Sequence, residues 1–180
     1  MLWMRNGSTL LHDYLRIWSL AGKMNTRLMC DCPNLTIRPI LVEGLPVIDF
    51  NVTTPSSNRL VRLMIPELIG VAMNHEEPIS YKELSQRIHH RTARIGYQLG
   101  CIIDIFESLN KYIDFRVPPL TGLCVSTYTG FPGKSFNRII PHYSEKSHTE
   151  KVSTLNCINQ EAYNFKRWED VLIMLGLNQD

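Results

Sequence analysis

Apolar positions change their period several times along the chain, and each change marks a predicted element. Leu35 to Val42 and Val47 to Val52 are runs of β-branched and apolar residues separated by Glu43, Gly44, Leu45 and Pro46, which predicts a β-hairpin. Pro39 lacks a ladder donor and places the first strand on a sheet edge. Thr53 to Asn58 is a turn-like cluster in which Ser56 or Ser57 caps the next element. Leu60, Leu63, Met64, Leu68 and Val71 then recur at helical spacing to about Asn74, with Pro66 predicting a kink or a division into two short helices. Ser80 and Glu83 have capping-box spacing, with Pro78 ahead and Leu84 and Ile88 on one face, so a short helix ends near His90.

A third helix is expected from Ala93 to about Leu109, capped by Thr92. Ile95, Leu99, Ile102, Ile103, Phe106 and Leu109 form its buried stripe, while Arg94, Gln98 and Glu107 lie opposite. Gly96 and Gly100 are placed to let another segment approach this helix closely. Pro118 and Pro119 stop any continuation, Leu120 to Ser126 reads as a strand, and Tyr128 to Lys134 reads as a loop or wing. Residues 141–157 are weakly patterned and read as a flexible connection. A closing helix starts at about Gln160, presents Phe165, Trp168, Leu172 and Leu175, and stops at Gly176. At the other end, Ser8 or Thr9 caps an amphipathic helix carrying Leu11, Leu15 and Trp18. Met24 offers a second start, so residues 1–23 read as an appendage.

These elements define an α+β fold: a winged helix-turn-helix core with an N-terminal hairpin and flanking N- and C-terminal helices. The segments are the appended helix 1–23, a loop and hairpin over 24–56, the winged-helix core 57–140, and a connection with the closing helix over 141–180. A chain of 180 residues with 44% hydrophobic content is long enough for one such core and too apolar for wholesale disorder. No apolar run approaches membrane-spanning length. The five cysteines, Cys30, Cys32, Cys101, Cys124 and Cys157, are odd in number and widely spread, which fits reduced thiols in a cytoplasm better than a disulfide framework.

Net charge is only +2, so any nucleic-acid surface must be local. One region qualifies: Lys82, Arg87, Arg91 and Arg94 against Glu83 leave +3 over residues 82–94, with His89 and His90 beside them. In a winged helix the later helix lies in the major groove and the wing touches the backbone. Lys82, Arg87, Arg91, Arg94, Lys134 and Arg138 are therefore the candidate phosphate contacts, and Gln98 or Arg94 the candidate base contacts.

Ile79-Ser80-Tyr81-Lys82-Glu83-Leu84-Ser85 resembles the Ser-Tyr-Gly-Glu-Leu-Ala stretch of the alkylguanine-DNA alkyltransferase family. Arg94-Ile95-Gly96-Tyr97-Gln98-Leu99 is similar to its Ala-Val-Gly-x-Ala-Leu recognition helix. Pro119-Leu120-Thr121-Gly122-Leu123-Cys124 lies where the family keeps Pro-Cys-His-Arg-Val-Val, and Gly130 to Phe136 follows as a glycine-rich segment. The resemblance spans about residues 54–136. It places Leu120 at the alkyl-accepting cysteine and Thr121 at the activating histidine, so alkyl transfer by the family route is excluded. What it implies is an alkyltransferase-like, non-enzymatic DNA binder in which Tyr81 turns a nucleotide phosphate. The family's arginine finger aligns nearest Ala93, one residue from Arg94.

Other constellations are weaker. Cys30-x-Cys32 and the adjacent His89-His90 lack the spacing of zinc ligand pairs, so no metal or cofactor is expected. Gly133-Lys134-Ser135 lacks the first glycine of a phosphate loop, since Tyr128 stands at that position. His142 and His148 give the cysteines no catalytic motif. Double-stranded DNA is thus the first expected partner. The alternative is a protein partner, as for an immunity protein or an inhibitor of host defence carried by a mobile element.

Overall fold

The computed structural model describes residues 35–42, 45–52, 54–91 and 95–177. The predicted appended helix, the loop before the hairpin, the hairpin turn at 43–44, the Thr92 cap and Arg94 lie outside these residues.

Strands β1 (Leu35–Val42) and β2 (Leu45–Val52) pair antiparallel, with Leu35 opposite Val52 and Val42 opposite Leu45. Alternation places Ile48, Phe50 and Val52 in the core, while Asp49 and Asn51 point outward. Among the described residues the sheet has these two strands, which puts Pro39 on an edge as expected. Asp49 and the carbonyl of Phe50 accept bonds from Arg62 at 2.9 and 3.0 Å, fastening the hairpin to the next helix.

Helix α1 runs unbroken from Pro55 to Met73 with Pro66 inside it. Of the two expected outcomes, a kink or a division, the division does not occur: Val61, Ile65, Leu68, Ile69 and Ala72 on both sides of the proline are buried. Packing along this stripe offsets the one missing backbone bond. The cap is Thr54, not Ser56 or Ser57: its hydroxyl accepts from the Ser57 amide at 3.3 Å, and Pro55 sets the first helical φ.

Strand β3 (Ile79–Ser80) leads into helix α2 (Tyr81–Arg87), whose capping box forms as predicted. The Ser80 hydroxyl accepts from the Glu83 amide and the Glu83 carboxylate accepts from the Ser80 amide, both at 3.1 Å. Helix α3 (Ile95–Leu109) follows, and α1, α2 and α3 pack on one another. All six predicted stripe residues of α3 are buried. So are Gln98, Gly100, Cys101, Asp104, Ile105 and Ser108, leaving only Gly96, Tyr97 and Glu107 exposed along it. The hairpin covers one side of α3, and a 3-10 turn at Lys134–Arg138 covers another. At Gly100 a Cβ would lie 3.6 Å from Arg138 Nη1, an ordinary contact, so the turn does not require a glycine there. At Gly96 a Cβ would meet nothing among the described residues; neither glycine provides the close approach expected of it.

The expected strand over 120–126 is mostly a 3-10 turn, Thr121–Leu123, with β4 reduced to Cys124–Val125 and paired parallel to β3. Leu120, Leu123 and Cys124 are completely buried, so this segment plugs the core and builds little sheet. The predicted wing is a closed loop. Ser126 donates to the Phe131 carbonyl at 3.0 Å and Gly130 donates to the Ser126 carbonyl at 2.8 Å, with no antiparallel wing strand among the described residues.

Residues 141–157 are ordered into helical structure, against expectation. A 3-10 turn covers Tyr143–Glu145 and helix α4 runs from His148 to Asn164, started by a second capping box between Ser147 and Glu150. The closing helix is therefore two helices, α4 and α5 (Trp168–Met174), and of the four residues expected on its one face Trp168 and Leu175 are buried while Phe165 and Leu172 are partly buried. Trp168 Nε1 donates to the Ala162 carbonyl at 2.9 Å across the break. Gly176 stops α5 at a φ of 61°. The result is a mixed α+β architecture around a core to which β2, α1, α3 and α5 all contribute.

Candidate nucleic-acid interface

Lys82 and Arg91 are exposed on and just after α2, and His89 and His90 lie exposed between them. Lys134 is exposed at the start of its 3-10 turn. These two regions are joined because the Gly133 amide donates to the Tyr81 hydroxyl at 2.7 Å. Lys82 and Lys134 each directly follow one partner of this bond in the chain, so a single contact ties together the two segments that carry them.

The other predicted contacts are committed elsewhere. Arg87 donates to Glu76 at 2.8 Å, and its guanidinium holds that carboxyl below the usual carboxylate range. Arg138 bonds the Gly100 carbonyl at 3.3 Å and pairs with Asp104, a carboxylate only 3% exposed. Its expected phosphate role thus gives way to a structural one, because a buried carboxylate needs its counter-charge. Gln98, the expected base contact, is 1% exposed and donates to Ser57 Oγ at 3.3 Å, so it faces α1 and no groove. Tyr81 is half-buried and its hydroxyl already accepts the Gly133 bond, which competes with the expected phosphate contact. Burial raises its phenol above the ordinary value, while the Gly133 bond acts in the opposite direction, so the hydroxyl keeps its proton at neutral pH.

Leu120 and Thr121, the positions matching the family's cysteine and histidine, line a cavity of about 120 Å³. Phe106, Glu107, Arg116 and Arg138 are among its other lining residues. The Thr121 hydroxyl is buried without a hydrogen-bond partner among the described residues. Neither leucine nor a neutral hydroxyl without a base supplies the thiolate that alkyl transfer requires. Nearby Cys124 is pushed up to about 12 by burial and by the Glu83 carboxylate, so its thiol stays protonated and inert.

Cys101 is likewise buried and Cys157 exposed, while His142 is engaged with Glu145 at 3.2 Å. Among the described residues no cluster of three or more metal-ligating side chains occurs, and no helix is long and apolar enough to cross a membrane. Sequence reasoning missed two residues here. Asp104 sits inside an apolar helical stripe as its one buried acid, a mismatch visible in the sequence. Tyr128 is 99% exposed at the tip of the closed loop, which no local pattern announces.

Compared with protein-family models, curated proteins and solved structures, the chain gives no match.

Proposed function

We propose that the protein is a non-enzymatic, alkyltransferase-like nucleic-acid binder, acting in the cytoplasm and directed at the phosphate backbone by exposed cations outside the buried helix α3. The carrying observation is the Tyr81–Gly133 bond, which sets the Lys134 turn against the Lys82 helix. Lys82, Arg91 and Lys134 are the phosphate contacts of this reading, and Arg94 extends the same basic stretch. Base readout by Gln98 is not part of it, because that side chain is buried.

Counterion release makes a clear test, since each phosphate contact contributes about −0.9 to the slope of log affinity against log salt on a duplex. Duplex affinity should fall steeply from 50 to 200 mM salt, and Lys82→Ala with Lys134→Ala should flatten that slope. Undetectable or salt-insensitive binding rejects the reading.

A second reading, a protein partner of the immunity or defence-inhibitor kind, draws on the near-complete burial of α3. A helix exposing only Gly96, Tyr97 and Glu107 has little side-chain surface to lay in a groove. Capture of a stoichiometric partner that survives nuclease treatment, with no nucleic acid bound, would select it.

A further inference from the structure

Tyr128 is 99% exposed, which is unusual for a large aromatic side chain in a segment this well tied down. Its loop is closed by the Ser126–Phe131 and Gly130–Ser126 backbone bonds. Inside that closure, the Tyr128 amide donates to Ser126 Oγ and the Phe131 amide to Thr129 Oγ1, each at 3.2 Å. Gly130 takes a φ of 71°, the conformation the turn requires there. The base of the loop is anchored as well. The Phe131 ring meets the edges of Tyr143 and His148 at 6.4 and 5.3 Å, and Gly133 is bonded to Tyr81. Tyr128 is therefore presented to solvent from a preorganised backbone, and ordering of that backbone is not left to the binding event.

Beyond the anchored base comes Lys134, with Lys82 on the helix to which Gly133 is tied. An exposed aromatic ring on a loop that leads into a cation-bearing turn supplies the two contacts that hold unpaired strands: cations follow the phosphates and the ring stacks on a base. A base in an intact duplex has both faces covered by its neighbours, so an unpaired base accepts the ring at lower cost.

We infer that Tyr128 is a stacking residue for an unpaired base, so that the preferred nucleic acid contains single-stranded character, such as a free strand or a forked end. This rests on the nucleic-acid reading above and narrows it to a class of target.

The test measures fluorescence anisotropy of the full chain with three labelled probes: a 20-mer single strand, the matching duplex, and a duplex with a forked end. Tyr128→Ala should weaken single-strand and fork binding about 10-fold while leaving the blunt duplex within about twofold, and Tyr128→Trp should restore it. Lys134→Ala should weaken all three probes alike. If Tyr128→Ala changes all three equally, or none, the stacking role is overturned while phosphate binding stands. If no probe binds the unaltered protein, both readings fail together.

Discussion

The backbone amide of Gly133 donates to the phenol oxygen of Tyr81 at 2.7 Å, a contact between residues 52 apart in sequence. A Cβ added at Gly133 would lie only 2.8 Å from that oxygen, so the hydroxyl would have to shift to admit one. Tyr81→Phe should cost about 1 kcal/mol in urea denaturation. Gly133→Ala should be costly in the natural background and milder in the Tyr81→Phe background, because the clashing atom is then gone. Equal penalties in the two backgrounds would show that the bond does not position the loop.

Arg138 presents a different balance. Asp104 is 3% exposed, and its second carboxylate oxygen has no hydrogen-bond partner among the described residues. Removing the guanidinium with Arg138→Met leaves a buried carboxylate without its main counter-charge, at a cost of about 3–5 kcal/mol. The pair Asp104→Leu with Arg138→Met should recover much of that loss in the same unfolding assay. A stable Arg138→Met variant with weakened duplex binding would return Arg138 to the phosphate-contact role.

Among the described residues three histidines adopt the left-handed backbone region: His75, His89 and His142, at φ of 54°, 51° and 58°. His89 directly follows the C-cap of α2 and is exposed, so its side chain has little packing to lose. His89→Gly should raise thermal stability slightly, by about 0.5 kcal/mol, since glycine takes this conformation without Cβ strain. His75→Gly should gain less or lose, because the His75 ring stacks on Tyr163 at 5.5 Å. A lower melting temperature for His89→Gly would contradict this.

Alkaline pH is the vulnerable side of the fold. Burial pushes the Tyr143 phenol up to about 12, and burial with Glu83 pushes the Cys124 thiol up to about 12. Both acids then hold their protons more tightly in the folded than in the unfolded chain. The stability they contribute is present in full below their ordinary values of 10.0 and 9.0, and is lost as pH climbs from there toward 12. Denaturation midpoints should therefore drop between pH 9 and 12. In the native state at pH 8, Cys124 should resist thiol alkylation mapped by mass spectrometry while exposed Cys157 reacts. Rapid native labelling of Cys124 would refute the burial argument.

The hairpin, the Ser80–Glu83 box, the α3 stripe and the Gly176 stop were all legible in the amino-acid order. Each depends on interactions a few residues apart or on a simple alternation, which a linear pattern records directly. The Ser147–Glu150 box has the same spacing as the first and carried the same information. It went unread because α4 behind it is mostly polar on the outside, with only Leu155, Ile158, Asn159 and Ala162 buried. Unbroken α1 and the burial of α3 on nearly every side were decided by packing, since a second covering segment leaves no trace in the first segment's period. So were the fates of the candidate site residues: Gln98 meets Ser57 across 41 residues and Arg138 meets Asp104 across 34. Those partners are chosen by the tertiary fold, which determines which cations remain for a ligand and which are spent on buried acids and carbonyls.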